Sequence, residues 1–487
     1  MKRPLVVALL LAALLICIAG AGAFLAHHSA APASAAGAPA LATGAPGAPV
    51  KATTHWCNFV LAGKGATADG SVLMGYNNDW SASNYAYLQV VHGDATHYQY
   101  VKLLTMGGVA EGGINVHQLG ALYGTATTLD KSVLAADPYV KKGYGGEIWD
   151  LILQQCTTAR QALTLLQQMA VTGFNSGAAG SFAIGDPNEA WVFELLGGHH
   201  WVAQRVPDKA FLAHPNMVTI RQINLADTNN FRGSADLQSF AQSIGRYSTT
   251  DGSFDVAWAY GDRTDLQSYY NTNRMWGAFN KVAPSLGLTA TLPYATRPVY
   301  VVPDKKLTRQ DIAAICRYHY EGTTLDQTAG YTTMSPHAQS DRPICYSTTD
   351  YSAIWQLRGW LPETVGGVMW VAPSRPCSSA YVPFYDSITS VPTAWTGKTA
   401  YNSFRAVADS LDKNGKVGGE IRYKHYIPLV QSTYGSFETT CAGAQAVTDS
   451  TAAGLTGTAQ STYLTNYSTQ QATRALSLAN GLPAQMP

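Results

Sequence analysis

The order in which strand-like and helix-like patterns follow one another constrains this chain most. Short apolar runs fill the region from Asn58 to Gly124, helical spacing takes over from Gly146 to Ala170, and strand patterns return from Ser181 to Val206. Blocks of strands separated by a block of helices are typical of layered α+β proteins with stacked sheets. The sequence therefore predicts an α+β fold.

The first two strands are the best-defined local unit. Asn58–Ala62 and Ser71–Tyr76 are apolar runs, and the segment between them ends in Asp69-Gly70. Because Asp-Gly between apolar runs is a strong hairpin signal, these two runs are predicted to pair as a hairpin, with Asp79 three residues after the second run. Further along, Glu111–Gly113 is predicted to form a tight turn before a buried strand, with its glycines as turn formers.

Helical spacing also occurs in the later half of the chain, at Asn273–Ala283 and Leu307–Gly322, and strands return after residue 350. No internal repeat occurs, and no composition typical of a linker follows residue 60. Residues 57–487 are therefore predicted to form a single elaborated domain.

Composition excludes one class of partner. Charged residues make up 13% of the chain, about half the usual share, and the net charge is +1 without a basic stripe. Nucleic acid is therefore not an expected partner, because its recognition needs a concentrated positive surface. The high tyrosine and tryptophan counts, 27 and 11, together with the low charge, favour an extracytoplasmic protein.

The beginning of the chain has the pattern of a targeting segment. Lys2 and Arg3 precede an apolar run from Leu5 to Ala26, which is typical of a signal peptide and is also long enough for a membrane anchor. Residues 27–56 are rich in Ala, Pro and Gly and are predicted to be a linker or propeptide. We expect a protein that is secreted or tethered to the cell surface through this apolar segment.

Familiar motifs for other chemistries are absent from the sequence. It contains no GxSxG, HExxH, P-loop or GxGxxG after a strand, and no CxxC among its seven cysteines. The sequence thus indicates no metal site and no cofactor. It leaves the pairing of cysteines and the oligomeric state open.

Cys57 combines three features that fit an N-terminal nucleophile. It follows a removable leader, it opens a strand, and the next strand returns Asp79 towards it. A freed α-amine has a pKa of about 7.7–8.0 and can take the proton of its own thiol, so one residue would supply nucleophile and base. The alternatives are a small buried side chain or half of a disulfide.

The same stretch resembles the N-terminal-cysteine dipeptidases, the dipeptidase A group of the N-terminal nucleophile hydrolase superfamily. The resemblance runs from Cys57 to about Asp412. Apart from the opening stretch, the segments that carry it are DPNEAWVFELLGGHHWVAQRVPD (Asp186–Asp208), FDVAWAYGD (Phe254–Asp262), YYNTNRMWGAFN (Tyr269–Asn280), HYEGTTLD (His319–Asp326) and QLRGWLPETVGGVMWVAPSRPCSSAYVPFY (Gln356–Tyr385).

The resemblance implies a four-layer αββα sandwich, hydrolysis of dipeptides without a metal, and cleavage of the Trp56–Cys57 bond. It implies that Cys57 is the nucleophile and that Asp79 holds its amine. It also implies that Asn216 lies near the oxyanion or the amine and that Arg274 is a charged group of the site. The alternatives are that Asp79 caps a turn, that Asn216 lies in a turn, and that Arg274 is a surface charge on a helix.

The chain departs from the family pattern near the expected pocket. Asn58 follows the cysteine where Thr or Asp-Thr is usual, Tyr76 replaces an Arg, and the Asn-Glu pair expected around Tyr123 is missing. A main-chain N–H near Tyr123 or Gly124 is a candidate oxyanion donor. These departures keep two other functions open, an amidase or acyltransferase acting on N-acyl amides and a non-catalytic surface binding module.

Overall fold

The computed structural model describes residues 57–80 and 84–487. The predicted signal peptide or anchor and the linker before Cys57 lie outside these residues. Within the described part of the chain, every helix is too short or too polar to cross a membrane.

Strands and helices follow one another in the predicted blocks. The strands are β1 (Asn58–Ala62), β2 (Val72–Asp79), β3 (Ala86–Val91), β4 (Tyr100–Thr105), β5 (Val109–Asn115), β6 (Gly120–Thr125), β7 (Ser181–Gly185), β8 (Ala190–Leu195), β9 (Trp201–Val206), β10 (Phe211–His214), β11 (Phe231–Gly233), β12 (Tyr300–Val301), β13 (Thr349–Leu357), β14 (Gly367–Pro373), β15 (Val382–Tyr385), β16 (Lys416–Val417) and β17 (Glu420–Ile421). The α-helices are α1 (Lys131–Ala136), α2 (Ile148–Gln155), α3 (Ala159–Thr172), α4 (Leu237–Ser243), α5 (Val256–Tyr260), α6 (Tyr269–Val282), α7 (Arg309–Cys316), α8 (Glu363–Gly366), α9 (Lys398–Asp412), α10 (Arg422–Ala453) and α11 (Gly457–Gly481).

Two large antiparallel sheets organise these elements. The first sheet has seven strands in the order β12-β10-β1-β2-β13-β14-β15, and the second has eight in the order β11-β9-β8-β7-β6-β5-β4-β3. Strands β1 and β2 therefore lie inside the first sheet, where β2 pairs with β13 through Asp79↔Thr349. The α+β class predicted from the sequence is confirmed.

The two sheets pack face to face, with helices on their outer faces. A Cβ atom at Gly120 of β6 would lie 2.7 Å from Met74 of β2, so these strands touch across the interface between the sheets. A Cβ at Gly75 would meet Ile312 of α7, and one at Gly113 would meet Leu153 of α2. The contacts thus run in the order helix, sheet, sheet, helix that the family resemblance implies.

Burial on both faces explains the continuous apolar runs. In β8, Ala190 and Val192 belong to the core shared with the first sheet, whereas Trp191 and Phe193 belong to the core beneath α2 and α3. Successive side chains of a strand point to opposite faces, so both sets are apolar when both faces are covered.

The predicted hairpin is confirmed, with a longer second strand. Asp69 accepts a hydrogen bond from the main-chain N–H of Ser71 at 3.1 Å, and Gly70 has φ +81°. Strand β2 continues past Tyr76 to Asp79 because β13 pairs with it over this stretch. Asp79 therefore lies within a buried strand.

The predicted helix over Leu307–Gly322 is too long. Helix α7 ends at Cys316, whose carbonyl accepts a hydrogen bond from the side-chain amide of Asn77 at 2.8 Å. Tyr320 has φ +70°, which no right-handed helix allows, and its hydroxyl donates to the carbonyl of Arg342 at 2.5 Å. A long irregular connection, residues 317–348, therefore joins α7 to β13.

The predicted turn at Glu111–Gly113 is wrong, because these residues lie in β5. Ala110 pairs with Leu104 and Gly112 with Leu103, so Glu111 is the extra residue of a β-bulge. Gly112 has φ +137°, and a Cβ there would lie 2.3 Å from the carbonyl of Ala121 on β6. Close strand packing, rather than a turn, requires this glycine.

Candidate active site

Cys57 immediately precedes β1 and lies in the core between the sheets. Its side chain is 1% exposed. Burial, and next the charge of the nearby Asp79 carboxylate, raise the pKa of the Cys57 thiol to about 12, although hydrogen bonds from the Tyr76 hydroxyl and the Asp79 main chain partly oppose this rise. A thiol with a pKa this high carries almost no thiolate near neutral pH.

Arg274 joins Cys57 to Asn216. One guanidinium nitrogen, Nη1, donates to the main-chain carbonyl of Cys57 at 2.6 Å, and the other, Nη2, donates to Asn216 Oδ1 at 2.9 Å. The Asn216 amide in turn donates to the carbonyl of Ala126 at 3.0 Å. Arg274 is 3% exposed, so the alternative of a surface charge is wrong. Burial, and next the charge of Arg342, lower the pKa of Arg274 to about 9.

Asp79 is held by a buried cation. Arg342, from the irregular segment 317–348, donates to Asp79 Oδ2, and Thr349 donates to Asp79 Oδ1. The side chains of Asp79 and Arg342 are both 0% exposed. Burial raises the pKa of Asp79 above its ordinary value, while the Arg342 charge and the hydrogen bond from Thr349 oppose that rise.

A second carboxyl group, Glu111, reaches the same region through the bulge in β5. Asn78 donates through its amide to Tyr76 Oη at 3.1 Å and to Glu111 Oε2 at 3.2 Å, and Thr105 donates to Glu111 Oε1 at 3.1 Å. The Tyr76 hydroxyl bonds to Cys57, so polar groups connect the thiol to Glu111. Burial raises the pKa of Glu111 to about 8. The hydrogen bonds from Thr105 and Asn78 lower this pKa only in part, because both donors are neutral.

We expect Glu111→Gln to remove a pH dependence of stability. The folded chain keeps the Glu111 proton up to about pH 8, whereas the unfolded chain loses it near 4.5, so the free energy of unfolding falls as pH rises between these values. Urea unfolding at pH 5 and pH 8 should show the parent losing up to about 4 kcal/mol more than the Gln variant.

Both proteins in this comparison carry Cys57→Ala. Cleavage of the Trp56–Cys57 bond by the Cys57 thiol therefore cannot differ between them. Asp350, whose pKa burial also raises to about 8, titrates in both proteins, and only the part of its rise that the Glu111 charge causes differs between them. Equal losses of stability in the two proteins would contradict a protonated Glu111.

The predicted oxyanion donor lies at another irregularity. Tyr123 pairs with Phe182 and Thr125 with Ser181, so Gly124 is an extra residue in β6. A Cβ at Gly124 would lie 2.4 Å from the ring of Phe59, two residues after Cys57. Only glycine fits there, and the main-chain N–H as an oxyanion donor stays a prediction.

The structure thus brings the four predicted site residues together. Hydrogen bonds connect Cys57, Arg274 and Asn216, and Asp79 lies beside the Cys57 thiol. Sequence reasoning missed Arg342 and Glu111. No local pattern marks Arg342, which lies in irregular chain, and only the glycines after Glu111 hint at a distorted strand.

Comparison with known proteins supports a hydrolytic site. The model of peptidase family C69 matches residues 96–409, a range that includes Asn216 and Arg274 but begins after Cys57 and Asp79. A probable dipeptidase of Salmonella dublin is 30% identical over 360 residues, covering 68% of this chain and 81% of that protein. A probable dipeptidase of Latilactobacillus sakei is 26% identical over 389 residues, covering 72% of this chain and 80% of that protein.

Among solved structures, penicillin V acylase from Agrobacterium tumefaciens is similar over 68% of this chain and 86% of that chain. Its sequence identity is 12% and its TM-score is 0.29, a similarity too low to carry a conclusion. The family match covers well over half of the chain. This protein therefore belongs to peptidase family C69 and is a cysteine-type peptidase, and hence a hydrolase.

Proposed function

We propose that this protein is a secreted or surface-tethered dipeptidase whose nucleophile is Cys57, made N-terminal by cleavage of the Trp56–Cys57 bond. The observation that carries the proposal is the buried cluster in which Arg274 donates a hydrogen bond to the Cys57 carbonyl and Asp79 lies beside the thiol. The related dipeptidases support the substrate class.

The unprocessed chain has the properties of a precursor. Its Cys57 thiol is enclosed, and its pKa of about 12 leaves almost no thiolate at neutral pH. Cleavage before Cys57 replaces an amide nitrogen, which is not basic, with an amine of pKa about 7.7–8.0. The same cleavage therefore creates the amine that acts as the base and places it on the residue whose thiol is the nucleophile.

In the proposed reaction, the Cys57 thiol attacks the scissile carbonyl and its proton passes to the Cys57 amine. That amine protonates the leaving amino group as the peptide C–N bond breaks, and a thioester remains on Cys57. Water, deprotonated by the same amine, then hydrolyses the thioester and restores the thiol.

The surrounding residues support these steps by orientation. Loss of the preceding chain frees the nitrogen side of Cys57, but Arg274 still holds its carbonyl and β1 still pairs on both sides. Asp79 is held by Arg342 and Thr349, and in this proposal it accepts a hydrogen bond from the new amine. Such orientation reduces the entropy cost of reaching the transition state.

We expect the active protein to begin at Cys57. N-terminal sequencing and intact mass of the full-length gene product, secreted from a bacterial host, should give this residue first, and the product should hydrolyse dipeptides. The assay panel includes N-acyl amino acids, which separate an amidase from a dipeptidase. Active protein in which Trp56 is still joined to Cys57 would overturn the mechanism, since that form has no base.

A further inference from the structure

Four potential metal ligands meet away from the Cys57 cluster. His319, His337 and Cys345 come from the irregular segment 317–348, and Cys377 comes from the turn after β14. One ligand atom from each, the ring nitrogens and the sulfurs, lies within 4.8 Å of all the others. The residues are spread over the sequence without a CxxC pair, so no sequence motif for zinc marks them.

His319 directs a buried ring nitrogen into this group. The residue is 1% exposed. Its Nδ1 lies 2.9 Å from Glu321 Oε1 and 3.3 Å from Tyr331 Oη, whereas its buried Nε2 has no well-formed hydrogen bond and the Cys377 thiol is the partner of the ring within the group. A histidine that ligates a metal through one nitrogen commonly donates the other to a carboxylate, as Nδ1 does here to Glu321.

His337 has a similar arrangement. Its Nε2 lies 3.5 Å from Cys377 Sγ, and its Nδ1 faces Asp412 Oδ1 at 3.4 Å and Arg375 Nη1 at 2.8 Å. Arg375 also donates to Asp412 Oδ2, so this carboxylate is already fixed in place. Ligation through Nε2 places the imidazole proton on Nδ1, where Asp412 accepts it. Arg375 is only a donor, so it then gives up its contact with Nδ1 and keeps its bond to the other oxygen of Asp412.

We propose that His319, His337, Cys345 and Cys377 form a closed structural site for Zn²⁺. Two thiolates and two neutral imidazoles are a standard tetrahedral zinc set, and two thiolates neutralise the charge of the ion. Burial of a neutral centre avoids the cost of an unpaired charge. Binding requires both sulfurs as thiolates and both imidazoles neutral, so it displaces the protons that these groups carry.

The site would anchor the loop that supports Asp79. Arg342, which bonds to Asp79, lies three residues before Cys345, and the carbonyl of the adjacent Ile344 accepts hydrogen bonds from Asn58 at 3.4 Å and Asn77 at 3.0 Å. Since segment 317–348 has little regular secondary structure, a metal bound by three of its residues would stabilise it. The zinc is therefore structural and takes no part in the proposed hydrolysis.

A disulfide between Cys345 and Cys377 is the competing outcome, and the two states differ in measurable ways. We expect full-length protein, purified without metal-affinity steps, to contain about one zinc per chain by mass spectrometry of the metal. Both thiols should react with iodoacetamide after denaturation with a chelator and without a reductant. Protein with less than a tenth of an equivalent of zinc, or with these cysteines disulfide-bonded, would overturn the site.

Matched variants locate the metal. Cys345→Ser/Cys377→Ser should lose the zinc, whereas Cys156→Ser, which alters another buried free thiol, should keep it. If the double variant fails to fold, His319→Gln supplies a milder test by the same metal analysis.

Co²⁺ substituted for zinc should show thiolate-to-cobalt charge transfer and the intense visible bands of tetrahedral sites. Removal of the metal should lower the melting temperature by about 5 °C or more. Unchanged zinc content in Cys345→Ser/Cys377→Ser or in His319→Gln would place the metal elsewhere.

Discussion

Replacing Cys57 with alanine should lower kcat/KM for dipeptides by about 10⁴-fold or more, because both covalent steps of the proposed mechanism use its sulfur. The substitution removes one buried atom, so the protein should remain folded and lose only about 1 kcal/mol of stability. Hydrolysis of a dipeptide series, measured beside a thermal unfolding curve, separates the loss of chemistry from a loss of fold.

Cys156→Ala is the matched control for this experiment. Cys156 is also a buried free thiol, 3% exposed, but it lies just after α2. We expect this variant to keep wild-type activity within about two-fold, since surface and core changes away from the site act mainly on stability. A Cys57→Ala protein that hydrolyses dipeptides at the wild-type rate would show that another residue is the nucleophile.

Arg342→Met should be the most destabilising single change near the site. It leaves the Asp79 carboxylate buried without its cation, which typically costs about 3–5 kcal/mol. Activity should fall as well, because the unpaired carboxylate loses the fixed position that the proposed mechanism assigns to it beside the Cys57 amine. Urea unfolding measures the first effect, and steady-state dipeptide hydrolysis measures the second.

A second substitution distinguishes the loss of a charge pair from general disruption. Asp79→Asn added to Arg342→Met removes the uncompensated charge, so the double variant should recover at least about 1 kcal/mol of the loss. Lys305→Met, which breaks an exposed pair with Asp311, should cost below about 1 kcal/mol. A double variant no more stable than Arg342→Met would contradict a dominant role for the buried pair.

The sequence predicts the beginning of the site well because that part is local. Asp69 and Gly70 make a turn that depends on neighbouring atoms only, and β1 has the bounds predicted for it. The extension of β2 to Asp79 depends on pairing with β13, whose residues lie far away in the sequence. Local patterns do not report such pairing, so the predicted strand ended early.

Two irregular parts of the chain contain groups that the sequence did not predict. Glu111 enters the site through a β-bulge, and a bulge is set by the registers of two neighbouring strands. The zinc ligands His319 and Cys377 come together only because segment 317–348 folds back beside the end of β14. A sequence without a compact metal motif therefore predicted no metal site.

Taken by itself, the sequence determined the α+β class and the opening hairpin, because periodicity and turn residues act over a few neighbouring residues. Tertiary structure alone decided that Arg342 pairs with Asp79 across 263 positions and that Arg274 reaches the Cys57 carbonyl across 217. Contacts of this kind depend on how sheets and loops close on one another, and the free energy of burying both partners, rather than any local preference, selects them.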